Sequence, residues 1–141
     1  MQRLSTGLFV VCGIWMIGLG VYFIALRPAL LPEDLRYFDR TLAEVRAFAP
    51  GLLRWLGHVF TVMGGFMAAV GVLTVFVAST APRSTAATVA LALAGLLSVI
   101  LMSAVNFAIA SDFRWLLLAP ALLWATAAGL LALTLRPRAR N

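Results

Sequence analysis

Charge is what this 141-residue chain has least of. Asp, Glu, Lys and Arg together make up 11% of it, against roughly a quarter of a soluble domain. Lysine is missing, so all eleven basic residues are arginine. There is one cysteine, Cys12, and one histidine, His58. A lone cysteine excludes an intramolecular disulfide, and Cys12 inside an apolar run reads as a small packing residue. One histidine, with no CxxCH and no second cysteine, falls short of a zinc or haem ligand set, so no metal and no cofactor is expected. Acids number five and fall outside the apolar runs, so the relay groups of a proton pump or the charged ring of an ion channel are not available.

What remains is apolar. Hydrophobic residues account for 63% of the chain and the mean hydropathy is +1.02. The excess is gathered into four runs, about residues 7–26, 52–78, 86–110 and 115–135. A helix of about 20 residues spans a bilayer core of ~30 Å at ~1.5 Å per residue. The expected fold is therefore all-α: one integral membrane domain, a four-helix antiparallel bundle, over residues 1–141. The first run is too long for a signal-peptide core and no small-x-small cleavage site closes it, so it reads as a span. The net charge of +6 is spread over arginines at the ends of the runs. It forms no single patch, which argues against nucleic acid as a partner. The lipid bilayer is the expected one. Arginine-only basic content with abundant Ala and Leu points to a GC-rich bacterial genome, and so to the bacterial cytoplasmic (inner) membrane.

Between the first two runs lies PEDLRYFDRTLAEVRAFAP. Leu35, Phe38, Leu42, Val45 and Phe48 recur at steps of three and four, which predicts one amphipathic helix over about residues 33–49, lying in the membrane interface. Pro32 suits its first turn, and Glu33 and Asp34 suit the positive end of its dipole. Arg36 is expected to pair with Asp39, and Arg40 with Glu44. Ala81-Pro82-Arg83-Ser84 and Ser111-Asp112-Phe113-Arg114 are tight turns, so the last three spans alternate in direction. One side of the membrane then holds Arg3, Arg83, Arg136, Arg138 and Arg140. The other holds Arg27, Arg36, Arg40, Arg46, Arg54 and Arg114 together with all five acids. Arginine counts alone leave the orientation tied. The arginine-only tail against its span favours both termini in the cytoplasm.

Small residues supply the packing pattern. Gly57, Thr61, Gly64, Ala68 and Gly71 alternate at steps of four and three along the second run, and Gly13 and Gly20 are seven apart on the first. Such seams let helices approach closely where lipid offers no hydrophobic drive, and the other spans are expected to assemble against the second. Four residues are candidates for a ligand site. His58 is an ionisable group within a span, Asn106 is a polar group near the end of the third, and Trp15 and Trp124 are aromatics near mid-span. Each also has a plain structural reading, as an interfacial histidine, an interhelical hydrogen bond or packing. Met16, Met63, Met67 and Met102 show no paired motif and read as core filler.

Leu31-Pro32-Glu33-Asp34-Leu35, followed by His58 and Gly64-Gly65, resembles a family of small bacterial four-span membrane proteins of unknown function. These have an LPED element, an amphipathic segment, and a second span opening with His-Asp-Arg and a Gly-Gly soon after. The resemblance covers about residues 31–73. It departs after the histidine, where Val59 and Phe60 stand in place of Asp and Arg, and it brings no activity with it. The reading is of a non-catalytic membrane protein, an accessory or scaffold subunit of a larger complex or a homo-oligomer. One alternative is a small-molecule or lipid carrier with a cavity lined by Trp15, His58, Asn106 and Trp124. A second is a small membrane enzyme, which would need an acid and a base to converge.

Overall fold

A computed structural model describes residues 1–81 and 84–135. Arg83 and the tail arginines 136, 138 and 140 lie outside the described residues. The described chain is helical, with no strand among those residues. Helix α1 is Gln2–Ala25, α2 Pro32–Phe38, α3 Leu42–Phe48 and α4 Leu52–Thr80. Helix α5 is Thr85–Ala108, with a π-helical turn at Leu96–Ile100, and α6 is Arg114–Leu135. α1, α4, α5 and α6 are the four helices long and apolar enough to cross a membrane. Their outer faces are apolar too: only 17% of the most apolar window of α4 is buried, and Phe66, Leu73 and Phe76 are more than half exposed. An apolar outside, with Gly, Ala, Ser and Thr among the buried residues, is the arrangement expected when lipid is the solvent.

The residues expected to form one amphipathic helix form two. α2 ends at Asp39, which takes the left-handed conformation at φ 53. α3 is then started afresh by Thr41, whose hydroxyl accepts from the Glu44 N–H while the Glu44 carboxylate accepts from the Thr41 N–H. This reciprocal box satisfies two donors that a continuous helix would have spent internally. The expected side-chain pairs are replaced as well. Arg36 reaches Asp112, 76 residues away, at 2.7 Å, and Glu44 turns back on Thr41.

α1 packs against both α4 and α6. Gly13 lies against Gly71, and Gly20 against Gly64, so numbers rise along one helix as they fall along the other. A Cβ on Gly20 would stand 2.6 Å from the Gly64 carbonyl oxygen, and one on Gly71 would stand 2.5 Å from that of Gly13. Backbone touches backbone at both places, which only glycine permits. The spacing of seven on both helices returns the same face after two turns and favours a shallow crossing.

The opposite side of α1 packs on α6. The Ser5 hydroxyl donates to the Ala127 carbonyl at 2.8 Å, and Phe9 meets Trp124 edge-on with ring centroids 5.6 Å apart. The Cys12 thiol points to the Pro120 carbonyl at 3.8 Å. α5 in turn packs on α6 and touches α4 only lightly. The core accordingly lies on the α1, α5 and α6 side. Phe9, Cys12, Met16, Leu91, Val99, Trp124 and Leu131 are its main members.

Candidate functional site

The four residues expected to line a cavity are placed differently from one another. Trp124 is 1% exposed. Its indole N–H donates to the Leu91 carbonyl at 2.9 Å, and its ring rests on Gly95, where a Cβ would run into the indole nitrogen. It fills a notch in α5 one residue before the π-helical turn begins. Trp15 faces outward from α1 and is 37% exposed. His58 is exposed on α4. Asn106 is half-buried and donates to the Met102 carbonyl on its own helix at 2.9 Å. The structure thus draws one of the four into the interior and does not bring them together around a common space.

The packing residues divide as well. Gly13, Gly20, Gly64 and Gly71 are buried at the α1–α4 contact, with Ala68 against Gly20. Gly57 belongs to the same expected seam, yet a Cβ there would meet nothing within 4 Å. Thr61 is exposed and its hydroxyl donates to the Gly57 carbonyl of its own helix. Gly65, beside Gly64 in sequence, also faces open space.

The polar chemistry of the molecule is gathered where α2 meets the ends of the long helices. Glu33 receives two hydrogen bonds from the α5–α6 turn, one from the Ser111 hydroxyl at 3.0 Å and one from the Asp112 N–H at 2.7 Å. Ser111 is fully buried, and its oxygen also accepts from the Phe113 N–H. Arg36 adds its bond to Asp112 on the outside of this clasp, where both side chains are exposed.

Arg27 closes the other flank. Its guanidinium lies over the Phe60 ring at 3.5 Å from the centroid and 5.2 Å from that of Phe23. It stands 3.5 Å from Asp34 and donates to the Pro28 carbonyl. Burial pushes Arg27 below the ordinary arginine range, opposed by Asp34, Tyr22 and Glu33, and an arginine so placed stays cationic. Asp34 also accepts from the Leu31 N–H at 2.8 Å. The clasp was not legible in the sequence, because Glu33 and Ser111 are 78 residues apart and no spacing rule links them.

Beyond the clasp, α2 and α3 form a hook with two adjoining depressions. One is an apolar groove of about 430 Å³ among Phe38, Val45, Phe48, Ala49 and Leu52. The other is a shallow notch of about 300 Å³ among Leu35, Arg36, Asp39, Thr41 and their neighbours, rimmed by charged side chains. Arg40 and Glu44 line both. Among the described residues no three His, Cys, Asp or Glu side chains are grouped to hold a metal ion. Comparison with known proteins finds no matching family, no matching characterised protein and no matching solved structure.

Proposed function

We propose that the chain is a non-catalytic protein of the bacterial inner membrane that works through helix–helix contacts, as an accessory or scaffold subunit or as a homo-oligomer. In this reading the four long helices cross the bilayer as an antiparallel bundle, and α2 and α3 lie in the interface. Both termini are cytoplasmic, because the side of the membrane that carries Arg3 has no acid and suits the anionic inner leaflet.

The observation that carries the reading is the open stripe on α4. Gly57, Thr61 and Gly65 follow one another at steps of four; Thr61 and Gly65 are exposed, Gly57 is half-buried, and a Cβ on either glycine would meet nothing within 4 Å. A glycine inside a helix costs about 1 kcal/mol relative to alanine unless close contact uses it. The buried pairs at Gly64 and Gly71 have their use within the chain; Gly57 and Gly65 acquire one when a second helix docks there. The carrier reading lacks comparable support, since Trp124 is committed to Leu91 and Gly95. An enzyme would need acid and base to converge, and His58 is exposed on α4 with no hydrogen bond or ion pair to a carboxylate among the described residues.

Native mass measurement of the whole chain from mild detergent or nanodiscs tests this. The expected result is a defined oligomer or retained partner subunits, with Gly57→Leu and Gly65→Leu shifting the population to the free monomer. A wild-type monomer in both media, indifferent to these changes, would overturn it.

A further inference from the structure

The hook formed by α2 and α3 has the chemistry of a headgroup site. Its groove is lined by Phe38, Val45, Phe48 and Leu52 and adjoins the notch rimmed by charged side chains, the two sharing Arg40 and Glu44. An apolar slot beside a charged one fits an amphiphile, with its chain in the first and its head in the second.

The charges say which head. Arg36 and Arg40 face the notch together with Asp39 and Glu44, so it holds two cations and two carboxylates. A purely anionic head meets both acids there, and a purely cationic one meets both arginines. A zwitterion satisfies both sets.

The groups retain capacity for it. Arg36 spends one nitrogen on Asp112, and a guanidinium has five N–H donors. The Glu44 bonds to Thr41 both fall on Oε2. The Asp39 carboxylate takes no hydrogen bond among the described residues. An ammonium with N–H donors can bond to Asp39 and Glu44, whereas a trimethylated one cannot. Glu44 lies below the ordinary carboxylate range because Thr41 donates to it, so it is ionised at neutral pH.

We propose that the α2–α3 hook binds a phospholipid with a primary-amine headgroup, phosphate on Arg36 and Arg40, ammonium on Asp39 and Glu44, and an acyl chain along Phe38, Val45 and Phe48. The proposal is independent of the open stripe on α4 but rests on α2 and α3 lying at the membrane surface.

The test is native mass spectrometry of the intact chain titrated with phosphatidylethanolamine, phosphatidylcholine and phosphatidylglycerol of identical acyl chains. The ethanolamine lipid is expected to be retained about tenfold more tightly than the other two, the size of one charge-assisted hydrogen bond. Asp39→Asn, which keeps a residue tolerant of positive φ, lowers ethanolamine binding to the choline level. Arg40→Gln weakens all three lipids, as does Phe48→Ser. Equal retention of the three lipids, tightest retention of the glycerol lipid, or indifference to Asp39→Asn and Arg40→Gln with unchanged helical content would overturn the proposal. A second copy of the chain seated on Phe48 in place of lipid would overturn it too. Insertion into nanodiscs without lipid preference overturns only the headgroup site, while failure to insert overturns the membrane placement as well.

Discussion

Adjacent glycines in α4 have opposite duties. A Cβ on Gly64 would stand 2.6 Å from the Gly20 carbonyl oxygen, a backbone atom that cannot swing away, whereas one on Gly65 meets nothing. Gly64→Ala is therefore expected to lower stability by about 1–3 kcal/mol through enforced separation of α1 and α4. Gly65→Ala is expected to be neutral or to stabilise the monomer by up to ~1 kcal/mol. Thermal unfolding in one detergent, followed by circular dichroism, compares the two directly.

Gly95→Ala falls in the first class, because its Cβ would enter the space of the Trp124 indole. Trp124→Phe keeps most of the ring volume and loses the bond to Leu91, at an expected cost of about 0.5–1.5 kcal/mol. Seven-residue spacing made Gly13 and Gly20 legible as a packing pair. The role of Trp124 was not legible, since a mid-span tryptophan faces a neighbour, a ligand or lipid with the same local sequence.

At the scale of elements, the break between α2 and α3 was written in the sequence but outweighed by a stronger-looking pattern. Leu35, Phe38, Leu42, Val45 and Phe48 keep helical spacing straight through Asp39 and Arg40. Thr41-Leu42-Ala43-Glu44 is meanwhile a capping signature, and Asp tolerates the left-handed conformation found at Asp39. Two short helices separated by Asp39 and Arg40 carry the same three- and four-step spacing as one long helix, so periodicity could not separate them.

The cap is pH-sensitive. Backbone and side-chain hydrogen bonds from Thr41 lower the Glu44 pKa. A carboxylate whose pKa is depressed by folding contributes stability above its unfolded value and loses that contribution as pH falls through the folded value. Hydrogen exchange at the Thr41 and Glu44 amides should accelerate, relative to intrinsic rates, below the ordinary glutamate range. Thr41→Ala should return the Glu44 midpoint, read by NMR titration, toward that range. The π-helical turn at Leu96–Ile100 has no counterpart signal in its local sequence, LLSVI. It follows the notch that seats Trp124, a contact made by another helix.

For the whole molecule, two fastenings of unequal strength tie the hook to the helix ends. Glu33 bonds to a fully buried serine and to a backbone N–H. Arg36 and Asp112 are 60% and 62% exposed. Glu33→Ala is expected to cost about 1–3 kcal/mol and to speed exchange at the Asp112 amide. Arg36→Gln should cost much less than Glu33→Ala, and less still at high salt.

The order of helices is testable too. α1 lies between α4 and α6, so Ser5→Cys with Ala127→Cys, in a Cys12→Ala background, should cross-link within one chain through a short bifunctional reagent. Ser5→Cys with Phe76→Cys, near the same level but on the exposed face of α4, should not. Cross-linking of the second pair alone, read by mass on denaturing gels, would reverse the arrangement drawn from Ser5, Phe9 and Cys12.

Composition and periodicity determined that the chain is helical and has four stretches able to cross a bilayer, because in lipid an unbroken hydrogen-bonded helix is the cheapest state of an apolar run. They also marked Gly13, Gly20, Gly64 and Gly71, since a missing side chain is visible in sequence wherever backbones must touch. The tertiary structure alone decided that α1 lies between α4 and α6, that no neighbouring helix closes on Gly57 or Gly65, and that Glu33 meets Ser111. Those outcomes depend on which of several similar apolar faces meet, a choice made by the sum of many weak contacts between residues far apart in the chain.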